Sequence, residues 1–175
     1  TKDGKYLFVS LLVSKKGVKI DLEQQKIVGF YKTGRRPHSI VLNEDESKVY
    51  NGSLKGNDIV IIDSESLEEL DRLDLPNGVR PFKLMADEQR LYTQLSYCHC
   101  IAEYDINQKK VLRQIELPIP ETVKAIPLKD YPFEAAHHGI GISGDRKIMS
   151  IAGTVSNYMA LLTFPELQLI DTFDA

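Results

Sequence analysis

The run Pro37-His38-Ser39-Ile40-Val41-Leu42, the turn cluster Asn43-Glu44-Asp45-Glu46-Ser47, and the segment Lys48-Val49-Tyr50-Asn51-Gly52-Ser53 set the fold, together with Ile59-Val60-Ile61-Ile62 and its closing Asp63-Ser64-Glu65-Ser66. The first run is mostly apolar and suits an inner strand covered on both sides. The second alternates, and the Ile/Val run is β-branched throughout, as strands prefer. Gly56-Asn57-Asp58 and the Asp/Ser/Asn clusters between the runs are turn chemistry. Leu67 to Leu75 is more polar, and its charges fit an outer edge strand. Four short strands in succession make one antiparallel unit.

Working outward, the same unit recurs. Asp21, Asp63 and Asp105 are equally spaced, since 63 − 21 and 105 − 63 both give 42. Phe8, Tyr50 and Tyr92 share the interval, as do Asp3, Asp45 and Asp87. A period of this size filled only with strand-like segments predicts an all-β chain of four-stranded β-propeller blades. One domain is expected over 1–175, with blades near 1–34, 35–78, 79–134 and 135–175. The first blade begins at its second strand, Lys5 to Ser10, so its inner strand is missing. Four blades less one strand read as part of a larger ring, and open blade edges invite self-association. No segment carries the apolar spacing of an amphipathic helix over three turns. The connection from Pro118 to Glu134 holds Pro118, Pro120, Pro127 and Pro132, which predicts an irregular loop.

A formal net charge of −3 argues against nucleic acid as a partner. No apolar stretch reaches the roughly 18 residues of a membrane span. Cys98 and Cys100 are the only cysteines. On an extended strand, residues two apart stand about 7 Å from each other, so these two are expected as thiols that could meet only with strain.

The units resemble the YVTN-repeat β-propeller proteins. The resemblance rests on Asp3-Gly4-Lys5-Tyr6-Leu7-Phe8-Val9-Ser10, on Arg36-Pro37-His38-Ser39 and on Ile59-Val60-Ile61-Ile62-Asp63. His137-His138-Gly139-Ile140-Gly141-Ile142-Ser143-Gly144-Asp145 matches as well. Two departures stand out: Phe82 in Arg80-Pro81-Phe82, where other units have His, and Thr163 in place of the aspartate that closes the third strand. The resemblance implies a seven-bladed ring, with about three blades outside this chain, and a periplasmic or extracellular address.

Blade topology sorts the loops onto two faces. Arg35, Arg36, His38, Lys55, Arg80, His99, Lys124, Lys129, His137 and His138 fall on one, and the turn aspartates fall on the other. The first face is therefore expected to attract anions. His38 and His138 each lie seven residues before a turn aspartate, Asp45 and Asp145, and should project near the channel mouth. Imidazoles there suit a metal or proton transfer, or else simply bond a neighbouring blade. Arg36 and Arg80 precede prolines and suit a carboxylate or phosphate. Arg36, His38, Arg80, His137 and His138 are thus the expected ligand-binding residues, with His38 and His138 as expected metal ligands. The leading expectation is a non-catalytic scaffold for a small anionic ligand or a partner protein. The alternative is a propeller enzyme or redox protein, lactonase-like or a quinone, haem or copper oxidoreductase, using the channel-mouth histidines. No motif identifies a cofactor.

Overall fold

Strand and turn signals resolve into fifteen strands in a computed structural model that describes residues 1–174; the final residue of the expected 135–175 unit lies outside it. β1 (Tyr6–Leu11), β2 (Lys16–Asp21) and β3 (Lys26–Lys32) form a three-stranded antiparallel sheet. The second sheet is β4 (Pro37–Leu42), β5 (Lys48–Ser53), β6 (Asp58–Asp63) and β7 (Glu69–Asp74). The third is β8 (Val79–Leu84), β9 (Arg90–Leu95), β10 (Cys100–Asp105) and β11 (Lys110–Glu116). The fourth is β12 (His137–Ile142), β13 (Ile148–Gly153), β14 (Tyr158–Thr163) and β15 (Leu169–Asp174). Each sheet pairs its strands in chain order, and β4, β8 and β12 are the innermost strands, with β8 packed beside both of the others. Among the described residues the first sheet has three strands and no inner one, as expected.

The 42-residue period is visible in the hydrogen bonds. Tyr6 pairs with Asp21, Lys48 with Asp63 and Arg90 with Asp105, so three blades share one register. In the turn after each inner strand, or its expected place, an aspartate accepts from the amide two residues on: Asp3 from Lys5, Asp45 from Ser47, Asp87 from Gln89 and Asp145 from Lys147. The residue after each aspartate is left-handed, at φ 71° (Gly4), 62° (Glu46), 54° (Glu88) and 56° (Arg146). In the outer turn Asp21, Asp63 and Asp105 each accept from the backbone amide three residues on. Thr163 accepts instead from the Gln168 amide five residues on, at 3.1 Å, while its carbonyl accepts from Leu167 as that of Asp63 does from Leu67, so the turn closes without the carboxylate.

Burial follows strand alternation. Val60 and Ile62 of β6 pack with Phe8, Tyr31 and Val49 between the first two blades. Ile59 and Ile61, on the opposite face of β6, pack with Tyr50, Val79, Phe82, Leu91 and Tyr104 between the second and third. This is why β6 is apolar from Ile59 to Ile62: both of its faces are core. Tyr92, Ile101, Met149, Ile151, Tyr158 and Leu162 fill the third interface. Phe8, Tyr50 and Tyr92 are therefore successive inter-blade wedges, each buried beside the next blade. Fully burying one such side chain contributes about 2 kcal/mol.

The Pro118–Glu134 connection is irregular apart from two single 3₁₀ turns, Leu128–Asp130 and Pro132–Glu134. Val123, Tyr131 and Ala136 anchor it as a small satellite core. Among the described residues no helix is long and apolar enough to cross a membrane.

Candidate functional site

The inner strands β4 and β12 each break register near their first residues. Pro37 pairs with Ser53 and Ser39 with Gly52, which leaves His38 between them unpaired. His137 pairs with Gly153 and Gly139 with Ala152, which leaves His138 unpaired. In β8 the pairing jumps from Val79–Leu95 to Phe82–Thr93, so Arg80 falls in the break. His38, Arg80 and His138 therefore occupy the same station in three consecutive blades. Arg80 is also 42 residues beyond His38 and seven before Asp87. The Arg-Pro match between Arg36 and Arg80 is corrected by this register: Arg80, not Phe82, is the third blade's counterpart of His38.

The three side chains meet at one cavity of about 240 Å³, walled by Leu12, Leu54 and Phe133. The His38 and His138 rings stand edge to face with centroids 5.0 Å apart. Arg80 is 1 % exposed. Its Nη2 donates to Ser96 Oγ at 2.9 Å and to the Phe133 carbonyl, and lies 3.8 Å from Glu134 Oε2. Nε and Nη1 of the same guanidinium are buried without a partner. A buried cationic donor left unpaired is costly, so these nitrogens call for an acceptor.

Burial, then each other's proximity and Arg80, hold the His38 imidazole below its ordinary pKa, and burial followed by Arg80 does the same to His138. Both are neutral near pH 7 and can offer one N–H each. For Arg80, burial presses the pKa down and Glu134 opposes it; the guanidinium stays charged.

Leu12 and Leu54 are wall residues that pattern reading passed over, although they are 42 residues apart and each follows a second strand directly. Ser96 holds the same place in the third blade and bonds Arg80. Phe133 and Glu134, from the connection, carry no repeat signal at all.

Arg36 is exposed and left-handed, with φ 53°, and its carbonyl accepts from the Leu54 amide at 2.9 Å. It flanks Arg80 without lining the cavity. His137 turns away from its neighbour: it is 2 % exposed, and its Nε2 meets Tyr158 Oη at 2.8 Å. The Tyr158 hydroxyl donates to the Pro118 carbonyl at 2.9 Å, so His137 must be the donor through Nε2–H. Its Nδ1 is then a buried bare lone pair. Burial first, and His99 second, push its pKa down to about 4. His99 stacks edgewise on Tyr131 and His137, with centroids 5.6 Å and 5.9 Å away. The four histidines thus form two separate pairs on one face.

That face also carries Glu121 and Glu134. Lys124 is paired with Glu121 at 2.8 Å and Lys55 with Glu134 at 2.9 Å, so part of the expected positive charge is neutralised in place. Among the described residues no three His, Cys, Asp or Glu side chains converge as a metal would require.

Cys98 and Cys100 form a disulfide, with Cα atoms 5.2 Å apart. The expectation of thiols fails because the segment is not extended: after a turn at Ser96 and Tyr97 the chain bends at His99, between the two cysteines, and only Cys100 enters β10. The turned loop is pinned to the cavity wall by the Tyr97 amide, which donates to the Glu134 carbonyl at 2.9 Å.

No protein-family pattern and no curated protein matches the chain. Solved structures do. A hydrazine synthase structure from Kuenenia stuttgartiensis superposes with TM-score 0.75 at 16 % identity, over 98 % of this chain and 46 % of that one. The Cps50 (Swd1) β-propeller domain of Myceliophteria thermophila gives TM-score 0.74 at 12 % identity, over 100 % of this chain and 53 % of that one. The fold is that of a β-propeller, and the chain spans about half the length of these structures. At such identity the likeness speaks for fold alone.

Proposed function

We propose that the chain is a non-catalytic β-propeller scaffold that binds a small anion at the mouth of its channel, or an anionic group presented by a partner protein. The observation that carries this reading is Arg80, 1 % exposed yet with Nε and Nη1 unpartnered beside His38 and His138. A desolvated guanidinium attracts an anion far more strongly than one in water does.

A metal held by His38 and His138 is the competing reading. It has two ligands, and the third station carries a cation that would repel it. We also read the repeats as YVTN-like and the protein as exported; the Cys98–Cys100 disulfide supports this, since such bonds persist in oxidising compartments.

The test is a titration with acetate and inorganic phosphate followed by the NMR signals of His38 and His138. Acetate, and phosphate at higher concentration, should shift both imidazoles in the parent protein, with a weaker response of His38 in His138→Ala and none in Arg80→Gln. If zinc, and neither anion, shifts them, the metal reading replaces this one.

A further inference from the structure

Resting on the reading of the cavity as an anion site, we infer that its ligand is a small organic monocarboxylate of about six carbons in all, rather than phosphate or a polyanion. Three observations on the cavity converge on this class.

The first is the wall. Leu12, Leu54 and Phe133 come from three different loops and face the same space as the two imidazoles and the guanidinium. A site for a hydrated inorganic anion has no use for three apolar side chains, whereas a hydrocarbon tail gains by leaving water against them.

The second is charge. Arg80 and Lys55 supply two positive charges, and Glu134 lies between them, 2.9 Å from Lys55 and 3.8 Å from Arg80. With the exposed Arg36 screened by solvent, the covered groups leave one uncompensated positive charge. A monoanion neutralises it, while a phosphate dianion would leave a buried negative charge unpaired.

The third is size. About 240 Å³ at roughly 30 Å³ per water-sized group holds about eight non-hydrogen atoms. A carboxylate uses three of these, leaving room for a short chain or a ring. Arg80, whose Nε and Nη1 have no partner, draws the carboxylate by its charge, and a neutral imidazole offers it an N–H. The tail then lies towards Leu12 and Phe133.

Calorimetric titration of the purified protein with butanoate, pentanoate, hexanoate, hexanol and inorganic phosphate decides the matter. Expected is a carboxylate Kd that tightens about fourfold per added methylene and levels off beyond six carbons, with hexanol and phosphate at least tenfold weaker than hexanoate. Leu12 is 37 % exposed, so Leu12→Ala should fold normally and reduce the gain per methylene; an undiminished gain in this variant would overturn the placing of the tail against this wall. Phosphate binding with no response to chain length overturns the ligand class but leaves the anion site standing. Hexanol binding as tightly as hexanoate overturns both, as does no binding by any probe at millimolar concentration.

Discussion

Glu134 and Lys55 close a 2.9 Å ion pair that spans from the second blade to the connection before the fourth. The pair holds the carboxylate near Arg80 while sharing its charge with a second cation. Removing that carboxylate should strengthen the site's pull on an anion. In Glu134→Gln, acetate should bind severalfold more tightly at low salt, and the gain should shrink as ionic strength rises. Both side chains are largely covered but reach water, so stability should fall by no more than about 1 kcal/mol. Weaker acetate binding by this variant would mean that Glu134 positions Arg80 rather than opposing its charge.

His137 makes folding depend on pH. Its pKa in the folded protein is lowered to about 4 by burial, while in the unfolded chain it is ordinary, about 6.5. Between these values the unfolded state binds the extra proton, so stability is complete above about pH 6.5 and declines as pH falls towards 4. The loss at pH 4.5 from this residue is roughly 2 to 3 kcal/mol. His137→Gln keeps a donor for Tyr158 and removes the titration. Urea unfolding at pH 7 and 4.5 should show a flatter profile for this variant; parallel profiles would mean the imidazole is not the group responsible.

Gly78 marks a close approach. A β-carbon there would sit 1.9 Å from the Leu54 carbonyl oxygen and 2.7 Å from Ser96 Oγ. The Leu54 backbone cannot give way without moving a wall of the cavity, and Ser96 holds Arg80. Gly78→Ala should cost about 2 kcal/mol and weaken acetate binding at the same time. Thermal unfolding and titration on one preparation test the coupling: a stability loss with intact binding would separate the two.

The disulfide closes so short a loop that its effect on the unfolded chain is modest, roughly 1.5 kcal/mol. Its larger effect should be local. Reduction, or Cys98→Ser with Cys100→Ala, should speed hydrogen exchange at the Tyr97 amide, which donates to the Glu134 carbonyl. Unchanged exchange at Tyr97 would mean that the turn holds itself.

The fold was legible because its punctuation repeats: aspartates at a fixed interval mark turns whose backbone is the same in each blade, and the apolar runs between them can only be strands. The site was legible in part. Counting back from a turn aspartate located His38 and His138, and the same count from Asp87 reaches Arg80. The Arg36-Pro37 and Arg80-Pro81 dipeptides drew the comparison two residues off, since a shared dipeptide says nothing about register. Arg36 and His137 were placed with the others by loop membership, yet strand alternation turns His137 inward and leaves Arg36 at the rim. Phe133 and Glu134 come from a connection without counterpart in other blades, so no internal comparison could find them. The Cys98–Cys100 bond was hidden by a turn that residue spacing does not announce.

In a stacked-repeat protein each unit normally touches only its neighbours, so tension at the ends peels units away singly. His38 belongs to the second blade and His138 to the fourth, and their rings stand in contact across the third. The pair adds about 1 kcal/mol of direct coupling between the second blade and the fourth, and an occupant of the cavity would touch the same three blades. The channel mouth is thus a point where blades that are not neighbours feel each other.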